Sequence, residues 1–373
     1  MSYQKYSRLS LLSLLISIII ALFVVISLNS ILASSISFNN TEYNNFTSVC
    51  RISVIACVDN ISSIQRADGD IKTQTDLILE QVNSTKLKEW INILSSFHTR
   101  HTKSSHIESV AYWLKNEFEK ICENRVYVLN FTQRDENQTY HLKNIICTIP
   151  GSIASFQDNN YNNTIIIGAH YDSRAENINN TEARAPGADD NASGVSAILE
   201  LARILSHLNL KLNLEFVLFS GEEQGKWGSN SYVKYLDDNN RTKNIDLYIN
   251  FDMIGYRPSN ESGQVILEYD VGNKYLQNDN YSKTIALFIK QIASTYTNLQ
   301  AQLSKLGNSD FIPFEAFGRT VIGIHDGGVT ENPNYHKSSD TPNTLNIEYI
   351  TSITKMTLAT ILELDKLSQY LKR

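Results

Sequence analysis

The sequence predicts an α/β fold: a mixed, centrally parallel β-sheet sandwiched between helices. Three short apolar runs, each ending abruptly in polar residues, carry that prediction, together with helical three- and four-residue spacing between them. In chain order, helices are expected near 84–97 and 105–121, then strands near 125–132 and 140–149 that form a hairpin on the sheet. Thr164-Ile165-Ile166-Ile167-Gly168-Ala169 is the first buried run and places a strand near 164–170. Val195, Ile198, Leu199, Ala202 and Leu205 then mark an amphipathic helix near 195–208. The run from Leu212 to Ser220 is the second buried strand, 212–220, followed by a helix near 226–237. Ile245 to Phe251 is the third, near 245–252. Beyond it come a strand near 264–269, a helix near 283–295, a strand near 320–326 and a long helix near 347–370.

In open α/β sheets, ligands collect beyond the carboxyl ends of the strands. The first run ends in His170-Tyr171-Asp172-Ser173, and the second breaks at Gly221 to deliver Glu222-Glu223-Gln224-Gly225. The third ends in Asp252-Met253-Ile254-Gly255. Two adjacent carboxylates repel each other, and a cation beside them removes the repulsion. Asp189 and Asp190 stand just before the helix at 195, where N–H groups and the helix dipole favour an anion. The loop Tyr335-His336-Lys337-Ser338-Ser339-Asp340-Thr341 supplies a second histidine and a further carboxylate. Each feature alone has a plainer reading: a solvated turn, an N-cap cluster, a solvent-facing histidine. Their convergence on one rim points to metal. Imidazole with carboxylates suits zinc better than magnesium. Five candidate ligands exceed what one tetrahedral catalytic zinc takes, whereas two metals sharing a carboxylate fit the number.

The segments GAHYDS, PGADDNASG, GEEQG, NFDMIG and YHKSSDT, in this order and spacing, resemble the co-catalytic di-zinc aminopeptidases, in particular secreted bacterial leucyl aminopeptidases. The upstream SSFHTRHT and SVAYWLKNEFE are similar to that family's N-terminal helical segment, so the resemblance spans roughly residues 80 to 370. It implies the zinc-dependent exopeptidase fold, two Zn2+ per chain and peptide substrates with a free N-terminus. Carried over residue by residue, it implies that Asp190 bridges both metals, Asp190 being chosen over Asp189 because the second aspartate of ADD is the family's ligand. His170 and Asp252 would complete one metal site, Glu223 and His336 the other. Glu222 would be the general base that activates a metal-bridging water, and Asp172 would orient His170. The Asp190–Asn191 peptide is expected to be cis. Met253, Phe311 and Tyr335 are the implied substrate-binding residues, with an apolar N-terminal residue preferred.

The sequence also departs from that family. Its SDH stands here as Ser309-Asp310-Phe311, and no cysteine follows Cys147 to form its pocket disulfide. Arg174 and Arg184 flank the metal loop, either to read an acidic substrate group or as structural residues. A single-zinc glutaminyl cyclase, or a dipeptidase or carboxypeptidase on the same fold, are the alternatives. A non-catalytic relative that has lost its ligands is disfavoured, since every ligand is present.

Lys5 and Arg8 precede an uncharged apolar stretch through residues 9–28, so 1–35 reads as a signal peptide or a signal anchor. Residues 36–75 are polar and rich in Asn, Ser and Thr, a linker or processed segment, and 76–373 form the peptidase catalytic domain. The expected location is therefore extracytoplasmic, secreted or membrane-anchored through residues 9–28. The expected disulfides are Cys50–Cys57 and Cys122–Cys147, the sequence-near pairs suited to an oxidising compartment. Abundant Asn-X-Ser/Thr acceptors, such as Asn39, Asn45, Asn60 and Asn83, suggest a glycoprotein, whereas Asn191 is excluded by its place in the metal loop. Net charge is −6 with no basic cluster, which argues against nucleic-acid binding.

Overall fold

The computed structural model describes residues 73–136, 138–152, 164–257, 263–272, 274–327 and 332–368. The expected signal segment, the linker as far as residue 72 and the Cys50–Cys57 pair lie outside the described residues. Chain order is Gln74–Leu79 (α1), Ser84–Ser96 (α2), Ile107–Cys122 (α3), Val126–Asp135 (β1), Gln138–Ile149 (β2), Thr164–His170 (β3), Gly194–Leu205 (α4), Asn213–Phe219 (β4), Trp227–Asp238 (α5), Ile245–Phe251 (β5), Gln264–Tyr269 (β6), Asp279–Tyr296 (α6), Gln300–Lys305 (β7), Phe311–Ala316 (α7), Val321–His325 (β8) and Ile347–Ser368 (α8).

The strands form one eight-stranded sheet in the order β1-β2-β4-β3-β5-β8-β6-β7. Its centre, β4-β3-β5-β8, is parallel. The β1–β2 hairpin joins antiparallel on one side and β6 antiparallel on the other. Strands covered on both faces read as unbroken apolar runs, which is why the central strands were legible. Alternation then divides each run between two cores. Ile165 and Ile167 of β3, with Leu214, Phe216 and Leu218 of β4, pack among Leu87, Val110, Ile198, Ile289 and Ile353 of the larger helical layer. Ile166, Val217 and Phe219 face the other way, onto Tyr232, Val233 and Leu236 of α5 and Phe314 of α7.

Three elements had no expectation. β7 is an edge strand with mostly exposed polar residues, so it lacks an apolar alternation. α1 and α7 have six residues each, too short to show a helical period. The Cys122–Cys147 disulfide (Cα–Cα 6.2 Å) ties the end of α3 to β2. Among the described residues, no helix is long and apolar enough to cross a membrane.

Candidate metal centre

Parallel strands deliver their C-terminal residues to one rim, and three of those ends supply the expected acids and imidazole. β3 terminates on buried His170, with Asp172 fully buried two residues on. β4 ends at Phe219, and Gly221 turns the chain at φ +81°. That left-handed conformation costs glycine little, and the turn carries Glu222 and Glu223. Asp252 directly follows β5. The loop before α4 presents Asp190, whose peptide bond to Asn191 is cis. His336 arrives from the loop ahead of α8. Met253 and His336 hold φ of 60° and 56°, unusual for residues with a Cβ and typical of functional sites.

These side chains form two triads that share Asp190: His170, Asp190 and Asp252, and Asp190, Glu223 and His336. His170 Nε2 lies 3.3 Å from Asp190 Oδ1 and 3.3 Å from Asp252 Oδ1. His336 Nε2 lies 3.0 Å from Asp190 Oδ2 and 3.2 Å from Glu223 Oε2. Asp190 thus turns one oxygen to each imidazole. Tetrahedral zinc with bonds near ~2.0 Å separates its ligand atoms by about 3.3 Å, so the donor spacing fits that ion. Despite its contacts, His336 Nε2 makes no hydrogen bond of acceptable geometry, and Glu223 Oε1 has no partner. Buried polar atoms left this way need an explanation, and a shared cation provides one.

The electrostatics agree. Burial lowers the His336 pKa, but Asp190 and Glu223 outweigh it and carry the group up to about 9. Burial likewise lowers His170, and Asp252, Asp172 and Asp190 drive it well above the ordinary imidazole range. Burial raises Asp190, yet both imidazoles hold it far below the usual carboxylate range. The pocket attracts positive charge. Burial pushes Glu222 well above that range; Asp310, Asp252 and Glu223 add to the effect, against His170.

Asp172 does more than face His170, whose Nδ1 is 3.2 Å from the Asp172 carbonyl oxygen and 3.6 Å from Oδ1. Its Oδ1 accepts the N–H groups of Gly221 (2.9 Å) and Glu222 (3.2 Å). Its Oδ2 accepts the N–H of Glu223 (3.2 Å) and the Thr102 hydroxyl (3.0 Å). One carboxylate therefore fixes the turn that bears both glutamates. Asp252 Oδ2 accepts from Ser309 Oγ (2.6 Å), which accepts from Asn250 Nδ2 (2.9 Å).

Sequence reasoning missed further supports. Arg100, completely buried, donates to the carbonyl oxygens of Leu94, Tyr171, Pro186 and Gly187 and so ties α2 to both site loops. Asp340 accepts the N–H groups of Asp189 (2.9 Å) and Asp190 (3.1 Å). Both residues sit inside motifs already singled out, SSFHTRHT and YHKSSDT; their being charged there was the available signal. Asp189 accepts from Gly255 N, Tyr256 N and Asn332 Nδ2, a structural duty away from both triads. Arg174 Nε donates to Glu223 Oε2 at 3.0 Å, so it holds a site carboxylate, and Arg184 is exposed. Asn191 is buried, its amide bonded to Phe251 O, which leaves no room for a glycan.

A cleft of about 380 Å³ opens over the rim, lined by His170, Asp190, Glu222, Glu223 and Asp252. Of the three residues expected at the substrate site, Met253 and Tyr335 line this cleft, whereas Phe311 is not among its lining residues and is buried in the core beside Phe314 and Tyr248. Glu268 and His325 also line it, and neither was expected. A separate hollow of about 420 Å³ lies at the opposite strand ends, where Arg241 pairs with Glu215.

Comparison with known proteins gives a consistent picture. The description of peptidase family M28 matches residues 144–361, more than half of the chain. A probable zinc metalloprotease of Pyrenophora teres f. teres is 34% identical over 194 residues, covering 48% of this chain but only 40% of that relative's length. Leucine aminopeptidase 1 of Coccidioides posadasii is 28% identical over 312 residues, 79% of this chain and 75% of the relative. Among solved structures, LapB from Legionella pneumophila superposes with a TM-score of 0.64 at 23% identity, over 83% of this chain and 80% of that one. A glutaminyl cyclase from an Acidobacteriales bacterium gives 0.63 at 15% identity, over 81% and 99%. At such identities the structures speak for the fold.

Proposed function

The chain belongs to peptidase family M28, and on that premise we propose that it is a zinc-dependent aminopeptidase that removes the N-terminal residue from peptides. The observation that carries this reading is the pair of donor triads joined through Asp190, with Glu222 beside them and outside both. His170, Asp190 and Asp252 would hold one zinc ion; Asp190, Glu223 and His336 would hold a second. Bound there, zinc would acidify a water and polarise the scissile carbonyl.

Glu222 takes the proton that the attacking water loses as its oxygen bonds to the carbonyl carbon. It returns that proton to the amine nitrogen as the C–N bond breaks. It lines the cleft beside the two donor triads and belongs to neither, so its carboxylate is free to hold that proton between the two steps. Asp172 keeps Glu222 and His170 in register through the shared turn. Met253 and Tyr335 offer an apolar wall to the N-terminal side chain. A glutaminyl cyclase remains the second reading because one such enzyme shares the fold; the donor set for two ions favours hydrolysis. Export through residues 9–28, N-glycosylation and the Cys50–Cys57 disulfide belong to the proposal, and the Cys122–Cys147 disulfide supports an oxidising compartment.

The test is a metal count per chain beside hydrolysis of N-terminally free and N-blocked peptides, with and without chelator. Two zinc ions, cleavage of free N-termini only and loss on chelation are expected. Full activity with one zinc ion, or cyclisation of N-terminal glutamine instead of hydrolysis, would refute the reading.

A further inference from the structure

We infer that Glu268 makes the cleft selective for peptides that begin with a basic residue, lysine or arginine, over those that begin with a purely apolar one. This rests on the aminopeptidase reading above. β6 pairs antiparallel with β8, and Glu268 stands opposite Gly323. Val265 and Leu267 on the same strand are buried in the core. Side chains alternate along a strand, so Glu268 emerges on the other face, where it lines the same cleft as His170, Glu222 and Asp252.

The surroundings are shaped around this carboxylate. A Cβ on Gly323 would stand 2.5 Å from Glu268 Oε2, so the facing position has to be glycine for the side chain to lie as it does. The Gly307 N–H donates to Oε1 at 2.8 Å and fixes the group. His325 Nε2 lies 3.7 Å from the same oxygen. Burial holds that imidazole below its ordinary range, so it brings no full positive charge. Among the described residues, no lysine or arginine forms an ion pair with Glu268. Burial pushes its carboxyl up to about 7, as befits an acid short of a cationic partner.

An entering ammonium or guanidinium supplies that partner through charge-assisted hydrogen bonds. The alkyl stem of the same side chain lies along Met253, Ile324 and Tyr335, as long cationic side chains commonly do on apolar surface. A leucine fills the walls but leaves the carboxylate desolvated and unanswered. A glutamate meets a like charge.

The experiment measures kcat/KM of zinc-loaded enzyme on lysyl, arginyl, leucyl, methionyl and glutamyl amides, for wild type and Glu268→Gln. Glutamine keeps an acceptor for the Gly307 N–H, and zinc content with circular dichroism checks the fold. The expected lysyl-to-leucyl ratio in wild type is at least tenfold, about 1.4 kcal/mol. In the variant it falls by tenfold or more, with the leucyl rate rising and the lysyl rate falling. Inhibition of wild type by lysinamide against leucinamide reads the same order without a variant. A wild-type ratio below one, or a ratio that Glu268→Gln leaves unchanged, overturns the inference while leucyl hydrolysis keeps the aminopeptidase reading. Cleavage of no N-terminally free substrate overturns both.

Discussion

Replacing Asp172 with asparagine tests whether one buried carboxylate organises the site. The volume is kept, but one acceptor oxygen becomes an NH2 donor. Each oxygen of Asp172 accepts two hydrogen bonds, from Gly221 N and Glu222 N on one side and from Glu223 N and Thr102 Oγ1 on the other. Whichever way the amide settles, two donors lose their acceptor outright and the other two keep only a neutral one. Hydrogen bonds to charged groups contribute ~1.5–3 kcal/mol each, so two represent about 3–6 kcal/mol. The Thr102 hydroxyl can rotate away from the new NH2, which puts the expectation at the lower end, about 3 kcal/mol. Asp172 has no exposed surface, so water cannot replace the lost bonds. For a domain of this size, that lowers Tm by roughly 6–12 °C. His170 also loses its flanking charge, and such losses typically cost ~10–100-fold in metal affinity. The Glu222 turn loosens at the same time, and a displacement of ~1 Å can cost ~10²-fold in rate. Thermal melts, zinc affinity by chelator competition and kcat/KM on one peptide would be measured in parallel. A variant that melts within ~2 °C of wild type and binds zinc equally well would refute the reasoning, because the turn and His170 would then be held by something else.

Two further outcomes are expected. Glu222→Gln should keep its zinc while kcat falls by at least ~10²–10⁴-fold, whereas Glu223→Ala should bind one zinc weakly and regain part of its activity in excess zinc. The opposite pattern, read from metal content beside rate, would exchange the two roles. Asp246 on β5 has its pKa raised to about 7 by burial, against the opposing charge of Arg319. A raised folded-state value means its stabilising contribution is complete below the unfolded pKa of ~3.9 and is lost as pH rises through 7. Wild type should therefore lose stability relative to Asp246→Asn between pH ~4 and 7, as seen in denaturant melts, and parallel curves would contradict this.

How much of this site could be read without coordinates depended on what local sequence encodes. An unbroken apolar run such as Thr164 to Ala169 can only be a covered strand or helix segment, and polar residues at its end must meet water, each other or a ligand. His170, Glu222, Glu223 and Asp252 were legible for that reason, and the motifs then supplied Asp190 and His336. Periodicity says nothing about which edge a short polar strand joins, so β7 escaped notice, and six-residue α7 carried Phe311 into the core instead of the cleft. Partner choice across long separations was equally silent. Asp340 caps the N–H of Asp189 from 151 residues away, and Asp172 binds the turn at Gly221 from 49 residues away. Glu268 enters the cleft only because β6 runs antiparallel to β8 in a register that sets it against Gly323. The chain by itself determined which residues could bear charge at strand ends. Strand order and register, products of packing over the whole core, decided which of those charges meet, because side-chain contacts follow the sheet's geometry and not the spacing along the backbone.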